Sequence, residues 1–211
     1  GRTTPLYLYG PQQLLDIINI QVAAGGGALS YDLVFHPIAD SGEHTLLFED
    51  QHVRVTCFPV EHRIPCHGFL FETVHKLRKI NPEACSQYQI PTYFLPKLKE
   101  GEDYTQKDGT IIRNEWVTVD PAPSVSYAYC ADTRYTTTFY PYIQHAHTIY
   151  HETTYLKDNT EKAIERFHST AEQAATTALN INAQQLLIGH FSSRYEDLTG
   201  FLEEAQTIFP N

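Results

Sequence analysis

The chain has 211 residues, of which 42% are hydrophobic, 12% aromatic and 19% charged, with a formal net charge of −10. That is one full domain, or part of a larger one, with enough apolar mass for a packed core, which excludes wholesale disorder. No apolar run approaches the roughly 18 residues of a membrane span, no basic–apolar–small leader opens the chain, and the acid excess means that any polyanion must meet a local basic patch.

In chain order, Pro5-Leu6-Tyr7-Leu8-Tyr9 is aromatic and apolar and stops at Gly10-Pro11, the pattern of a buried strand closed by a turn. Leu14, Leu15, Ile17, Ile18 and Val22 recur at helical spacing and predict an amphipathic helix from Gln12 to about Val22, ended by Gly25-Gly26-Gly27. Strands are expected at Leu33–Phe35, Thr45–Phe48, Val53–Val60 and Gly68–Val74. Residues 76–109 hold Pro82, Pro91 and Pro96 and the turn signals Lys99-Glu100-Gly101 and Lys107-Asp108-Gly109, with little periodicity, and read as an irregular arm or insertion. Strands return at Thr110–Ile112, Ser124–Cys130, Thr148–Tyr150 and Leu186–Ile188. Ser169 is expected to open a helix, with Glu172 completing a capping box and Ala171, Ala174, Ala175, Ala178 and Leu179 as the apolar face. A last helix is expected from about Asp197 to Ile208. Strands in series with helices interposed late argue an α/β layered domain.

Histidines and acids recur just past the apolar strands: His62 after Val53–Val60, Asp132 after Ser124–Cys130, His151 and Glu152 after Thr148–Tyr150, and His190 after Leu186–Ile188. If these strands lie together and point the same way, imidazoles and a carboxylate converge on one rim, as a zinc site requires. Any one of these histidines alone would read as an ordinary surface or core residue. His145 and His147 form an H-x-H, but Thr148-Ile149 follows, and they are read as a solvated element end. Cys57, Cys66, Cys85 and Cys130 show no C-x-x-C and read as reduced thiols of a cytosolic protein. The chain has no methionine and begins Gly1-Arg2 directly before a strand-like run, which reads as the loss of an N-terminal segment.

The residues around these positions are more specific. Phe58-Pro59-Val60-Glu61-His62, leading to Gly68-Phe69-Leu70-Phe71, resembles the segment of the ribonuclease Z family, tRNA 3′-processing endonucleases of the metallo-β-lactamase superfamily, in which a His ligand precedes a Gly-aromatic strand. Asp132-Thr133-Arg134 is similar to the family's Asp-Thr-Arg motif. His151-Glu152-Thr153-Thr154 is similar to its His-Glu-Ala-Thr motif, with Thr153 in place of Ala, and His168-Ser169-Thr170 to its His-Ser-Thr motif. His190-Phe191-Ser192-Ser193-Arg194-Tyr195 resembles the late ligand motif, and Tyr9-Gly10-Pro11 the strand-to-helix turn. These motifs follow in order along nearly the whole chain.

The resemblance implies an αββα sandwich, incomplete at the N-terminus, in which residues 1–211 are the C-terminal part of a single domain carrying an inserted arm at about 76–109. It implies that His62 ligates one zinc, His190 the other, and Asp132 bridges both, with manganese as the alternative metal. His168 would protonate the leaving 3′ oxygen, Glu152 would orient it, and the helix N-terminus that follows would favour a nearby phosphate. The expected substrate is precursor tRNA, cleaved by metal-hydroxide attack on a phosphodiester, and the expected assembly a cytoplasmic homodimer without membrane contact. Two zincs need about six or seven protein contacts, and the family's His-x-His-x-Asp-His motif is absent here. The 211 residues alone are therefore expected to bind metal weakly and to be inactive, the full-length parent being the enzyme. Lys76, Arg78, Lys79, Lys97 and Lys99 place five of the chain's 15 basic residues between 76 and 99, opposed there only by Glu83. Such an arm suits backbone-driven RNA binding, with Lys97 and Lys99 as candidate contacts. Gln89-Ile90-Pro91-Thr92-Tyr93-Phe94-Leu95-Pro96 replaces the Gly-Pro-rich turn usual in that arm. Two other readings compete: another metallo-β-lactamase-fold hydrolase acting on small esters or phosphodiesters, and a non-catalytic half-domain.

Overall fold

The computed structural model describes residues 1–39, 42–74, 77–121 and 123–210, so Lys76 of the basic stretch lies outside the described residues. Strands β1 (Leu6–Gly10) and β2 (Leu33–Pro37) pair in parallel, joined through helix α1 (Gln12–Ala24). At the end of β1, a Cβ on Gly10 would lie 2.6 Å from Cδ2 of Leu14, so any side chain there would have to displace that leucine. The helix buries none of its residues fully: Leu14, Leu15, Ile18 and Val22 are half-buried, while Ile17 and Ile20 stay exposed. Strands β3 (Thr45–Glu49), β4 (Val53–Val60) and β5 (Cys66–Thr73) follow as an antiparallel meander.

The arm is more ordered than its sequence suggests. Strand β6 (Lys79–Ile80) pairs with β9 (Thr118–Val119), and β7 (Tyr104–Thr105) with β8 (Ile111–Ile112). Helices α2 (Pro82–Gln87), α3 (Leu95–Lys99) and α4 (Asn114–Val117) lie within it. Periodicity fails here because these helices are only 6, 5 and 4 residues long. Pro82 and Pro96 sit in first turns, where the missing N–H is no loss. Cys85, Leu98, Ile112 and Val117 form a core of their own, and the buried Asn114 side chain donates to the carbonyls of Leu98 and Glu102.

Strands β10 (Ser126–Cys130), β11 (Thr148–Glu152) and β12 (Gln185–Gly189) complete a six-stranded sheet in the order β12-β11-β10-β5-β4-β3. The last three run parallel to one another, while β5 is antiparallel to both β10 and β4. Strands β4, β10, β11 and β12 therefore all point one way, and their C-terminal ends share one rim.

One face of the sheet is covered by helices α5 (Tyr140–Ile143), α7 (Ala171–Asn180) and α8 (Thr199–Ile208), with the short α6 (Thr160–Arg166) leading into α7. Phe58, Leu70, Ala128 and Ile149 from the strands meet Phe139, Ile143, Ala175 and Phe201 there. Each fully buried phenylalanine contributes roughly 1.5–3 kcal/mol. Helix α7 corrects the expected cap by one residue. Thr170 accepts the Gln173 amide, and Gln173 accepts that of Thr170, while the Ser169 hydroxyl is already donated to the carbonyl of Thr133. Glu172 pairs instead with Lys157. Ala171, Ala174, Ala175 and Ala178 are buried as expected, but Leu179 faces outward.

The opposite face of the sheet carries Phe71, Tyr129 and Leu187, all exposed, and a stacked Tyr129–Tyr150 pair. The β1–β2 pair covers part of it, with Tyr9 lining a crevice of about 300 Å³ together with Phe48, Val55, Phe69 and Phe71. The layered α/β arrangement expected from the sequence is thus present, with its second sheet two strands wide. All four cysteines are free thiols, and no helix among the described residues is long and apolar enough to cross a membrane.

Candidate metal centre

Four chain segments deliver side chains to the shared rim. His62 follows β4, Asp132 follows β10, Glu152 ends β11 and His190 follows β12. Asp132 (φ 51°) and His190 (φ 63°) both adopt the left-handed region, which turns the chain sharply as it leaves each strand. Asp and His enter that region more readily than most residues. A fifth element, the end of α6, turns through Phe167 (φ 59°) and presents His168.

Glu152 organises the cluster. It is wholly buried, and both carboxylate oxygens are saturated. Oε1 accepts from the Thr133 amide at 3.1 Å and from Nδ1 of His168 at 2.8 Å. Oε2 accepts from the Thr154 amide at 3.0 Å and the Thr154 hydroxyl at 2.7 Å. Burial by itself would raise this carboxyl, but the hydrogen bonds from His168 and Thr154 and the nearby imidazole charge outweigh it and hold it below the ordinary glutamate value. The same contact raises His168: the hydrogen bond to Glu152 favours its protonated form, against burial, with the charges of Glu152 and Asp132 adding to the rise.

Three imidazoles stand in a row, with ring centroids 5.2 Å apart for His62–His168 and 5.3 Å for His168–His190. Each is held at Nδ1 by an oxygen: His62 by the Phe167 carbonyl at 3.0 Å, His168 by Glu152, and His190 by the Thr154 hydroxyl at 2.8 Å. A carbonyl and a carboxylate only accept, so His62 and His168 carry their proton on Nδ1 and keep Nε2 open. Nε2 of His190 lies 3.1 Å from Oδ1 of Asp132. Ligand atoms of Asp132, His168 and His190 all lie within 4.8 Å of one another. The 3.1 Å between Nε2 of His190 and Oδ1 of Asp132 suits either a proton held between them or two ligands turned toward one cation. Zinc–ligand bonds of about 2.0–2.2 Å at tetrahedral angles put neighbouring ligands roughly 3.4 Å apart. Asp132 and His190 are therefore spaced to serve a divalent cation, with His190 oriented by the Thr154 oxygen behind it and His168 standing beside them.

The structure brings His62, Asp132, Glu152, His168 and His190 to one place. His168, rather than His62, completes the tightest group of three, and His62 stands one ring further along. His147 is bonded to Thr148 at the opposite end of β11. His151 is fully buried with Nε2 unpartnered and points into the core. Lys97 and Lys99 lie on α3 in the arm. Lys97 pairs with Glu102 at 3.3 Å, and Arg78 with Asp120, so acids outside the 76–99 window neutralise part of its charge. The supporting groups Thr154, Thr133 and the Phe167 carbonyl were not singled out from the sequence. Thr154 stood within a quoted motif, whereas nothing in a sequence marks a backbone carbonyl.

No protein-family profile matches the chain. It is 40% identical over 209 residues to ribonuclease Z of Porphyromonas gingivalis, an alignment covering 99% of this chain and 68% of that protein. It is 39% identical over 210 residues to ribonuclease Z of Bacteroides thetaiotaomicron, covering 100% and 66%.

The chain belongs to the ribonuclease Z family.

It spans about two thirds of the length of these ribonuclease Z relatives. Among solved structures, the short form of human tRNase Z superposes with a TM-score of 0.59 at 21% identity, covering 90% of this chain and 61% of that one. A metallo-β-lactamase fold protein of Bacillus subtilis gives a TM-score of 0.57 at 16% identity, covering 98% and 60%. The long-form RNase Z of yeast gives 0.60 at 14%, covering 94% and 25%. These similarities show the metallo-β-lactamase fold.

Proposed function

We propose that these residues form the reacting rim of a zinc-dependent endoribonuclease that removes the 3′ trailer of precursor tRNA. The observation that carries this reading is the meeting of Asp132, His168 and His190 on one rim, with His190 Nε2 3.1 Å from Asp132 Oδ1. Family membership supports the substrate. His190, Asp132 and His62 would hold the metal; zinc is the first choice and manganese the alternative. Bound there, the metal supplies Lewis acidity toward phosphate oxygens and activation of water at neutral pH.

The chain's own residues position and move a proton. His168 delivers one from Nε2 to the leaving 3′ oxygen. Glu152 fixes the opposite nitrogen and stabilises the imidazolium, a contact that raises the His168 pKa. The arm contributes Lys99 toward the tRNA backbone with Lys79 beside it, while Lys97 and Arg78 are each already paired, with Glu102 and Asp120. A homodimer in a reducing cytoplasmic compartment completes the reading, supported by the exposed Phe71, Tyr129 and Leu187 and by the four free thiols.

On this reading the ligands gathered on the rim among the described residues are too few for two metals, so cleavage by these 211 residues alone is not expected. The test is cleavage of a trailer-bearing pre-tRNA, with zinc or manganese, by this chain and by a form carrying the upstream coding sequence. Cleavage after the discriminator region by the longer form supports the reading. Turnover of a small phosphodiester without pre-tRNA cleavage would overturn the substrate, and an active 211-residue form would overturn the incompleteness.

A further inference from the structure

His190 is the one rim histidine whose Nδ1 partner is neither a carboxylate nor a carbonyl. Its partner is the Thr154 hydroxyl, at 2.8 Å, and Oε2 of Glu152 is too far to take the bond directly, at 4.0 Å. The hydroxyl has a single proton. Oε2 of Glu152, 2.7 Å from Oγ1, is an acceptor only, so that proton goes to Glu152. The Thr154 oxygen is then left to accept, and the short contact to His190 is made by an Nδ1–H. The chain of bonds runs His190 Nδ1–H to Thr154 Oγ1–H to Glu152 Oε2, each strengthening the next in a buried setting. Thr154 is itself buried, and its amide also donates to Oε2, which fixes the side chain over the carboxylate.

From this geometry we infer that Thr154 is a positioning residue: it holds the proton of His190 on Nδ1 and so turns an open Nε2 lone pair toward Asp132. This deepens the metal reading above and rests on it. Glu152 thereby sets two imidazoles with its two oxygens, His168 directly and His190 through one hydroxyl. Without the hydroxyl, Nε2–H would donate to Oδ1 of Asp132, 3.1 Å away, and two ligands would be tied to each other instead of facing a cation.

The test compares the wild-type chain with Thr154→Ser and Thr154→Val, using ring nitrogen chemical shifts of 15N-histidine-labelled, metal-free protein at about pH 9, and zinc affinity by chelator competition. In wild type and Thr154→Ser, His190 is expected as the Nδ1–H form. In Thr154→Val it moves to the Nε2–H form, and zinc binding falls about 10–100-fold, the usual loss when the partner behind a ligand is removed. The His168 shifts should stay constant in all three, since its bond to Glu152 does not pass through Thr154; this also checks that the valine variant is folded. A wild-type His190 in the Nε2–H form overturns the assignment without any variant, as does a folded Thr154→Val that binds zinc as tightly as wild type. A wild-type chain that takes up no zinc would sink the metal reading, while the nitrogen shifts would still decide the role of Thr154.

Discussion

Replacing Glu152 by glutamine keeps the shape of the side chain and removes its charge, so the consequence can be worked bond by bond. Four donors meet the two carboxylate oxygens: the amides of Thr133 and Thr154, the Thr154 hydroxyl and Nδ1 of His168. An NH2 group must now occupy one of the two oxygen positions. On the Oε2 side the Thr154 hydroxyl can rotate and accept, but the Thr154 amide cannot. On the Oε1 side His168 can switch tautomer and accept, but the Thr133 amide cannot. Either way one buried backbone donor is stranded, at about 1–3 kcal/mol, and a charge-assisted bond to His168 becomes an ordinary one. The total expected is about 2–4 kcal/mol, read by urea unfolding of metal-free protein.

A pH signature goes with this loss. His168 has its pKa raised in the folded chain, so its contribution is complete below its ordinary value of 6.5 and disappears as pH rises through the folded value. Glu152 is lowered, so its contribution is present above its ordinary value of 4.5 and fades as pH falls through the folded one. Wild-type stability should therefore decline above about pH 6.5, and the decline should flatten in Glu152→Gln. A variant within about 0.5 kcal/mol of wild type, with an unchanged pH profile, would refute the claim that this carboxylate organises the rim.

Three further outcomes follow from the structure. In a catalytically active form, His168→Ala should lower pre-tRNA cleavage by about 10²–10⁴-fold while zinc affinity changes less than tenfold; loss of zinc binding would instead make His168 a ligand. Lys99→Glu should weaken tRNA binding and reduce the slope of log affinity against log salt by about 1, and Lys97→Glu should do less because Glu102 already neutralises it; equal effects on gel-shift titration would refute the distinction. Gly68→Ala should cost about 1–3 kcal/mol by overpacking, since the new methyl would enter the ring of Phe58 and sit 3.0 Å from the Tyr129 carbonyl; a thermal melt checks it.

The strands that build the rim were legible because each is a short apolar run ending in a polar side chain. Val53–Val60 matches its expected bounds, and β11 and β12 extend theirs by one or two residues. The convergence of His62, Asp132, Glu152 and His190 was an inference from strand direction, and the shared direction of β4, β10, β11 and β12 makes it geometrically possible. The arm was not legible, because helices of one turn bury too few residues to leave a period. The helix cap at Thr170 was misplaced because Ser169 and Thr170 are equally good caps in isolation, and only the distant Thr133 carbonyl breaks the tie. The supporting contacts of the site were hidden for a related reason: Phe167 acts through its main chain, and Thr154 through a hydroxyl caught between two partners.

The separate packing of the arm has an evolutionary consequence. Cys85, Leu98, Ile112 and Val117 share no core with the residues behind the rim, so mutations that reshape the arm can accumulate there while the rim histidines keep their spacing. The two cores can then be selected almost independently, and lineages can exchange or redesign the appendage as a cassette while leaving the histidines where they are.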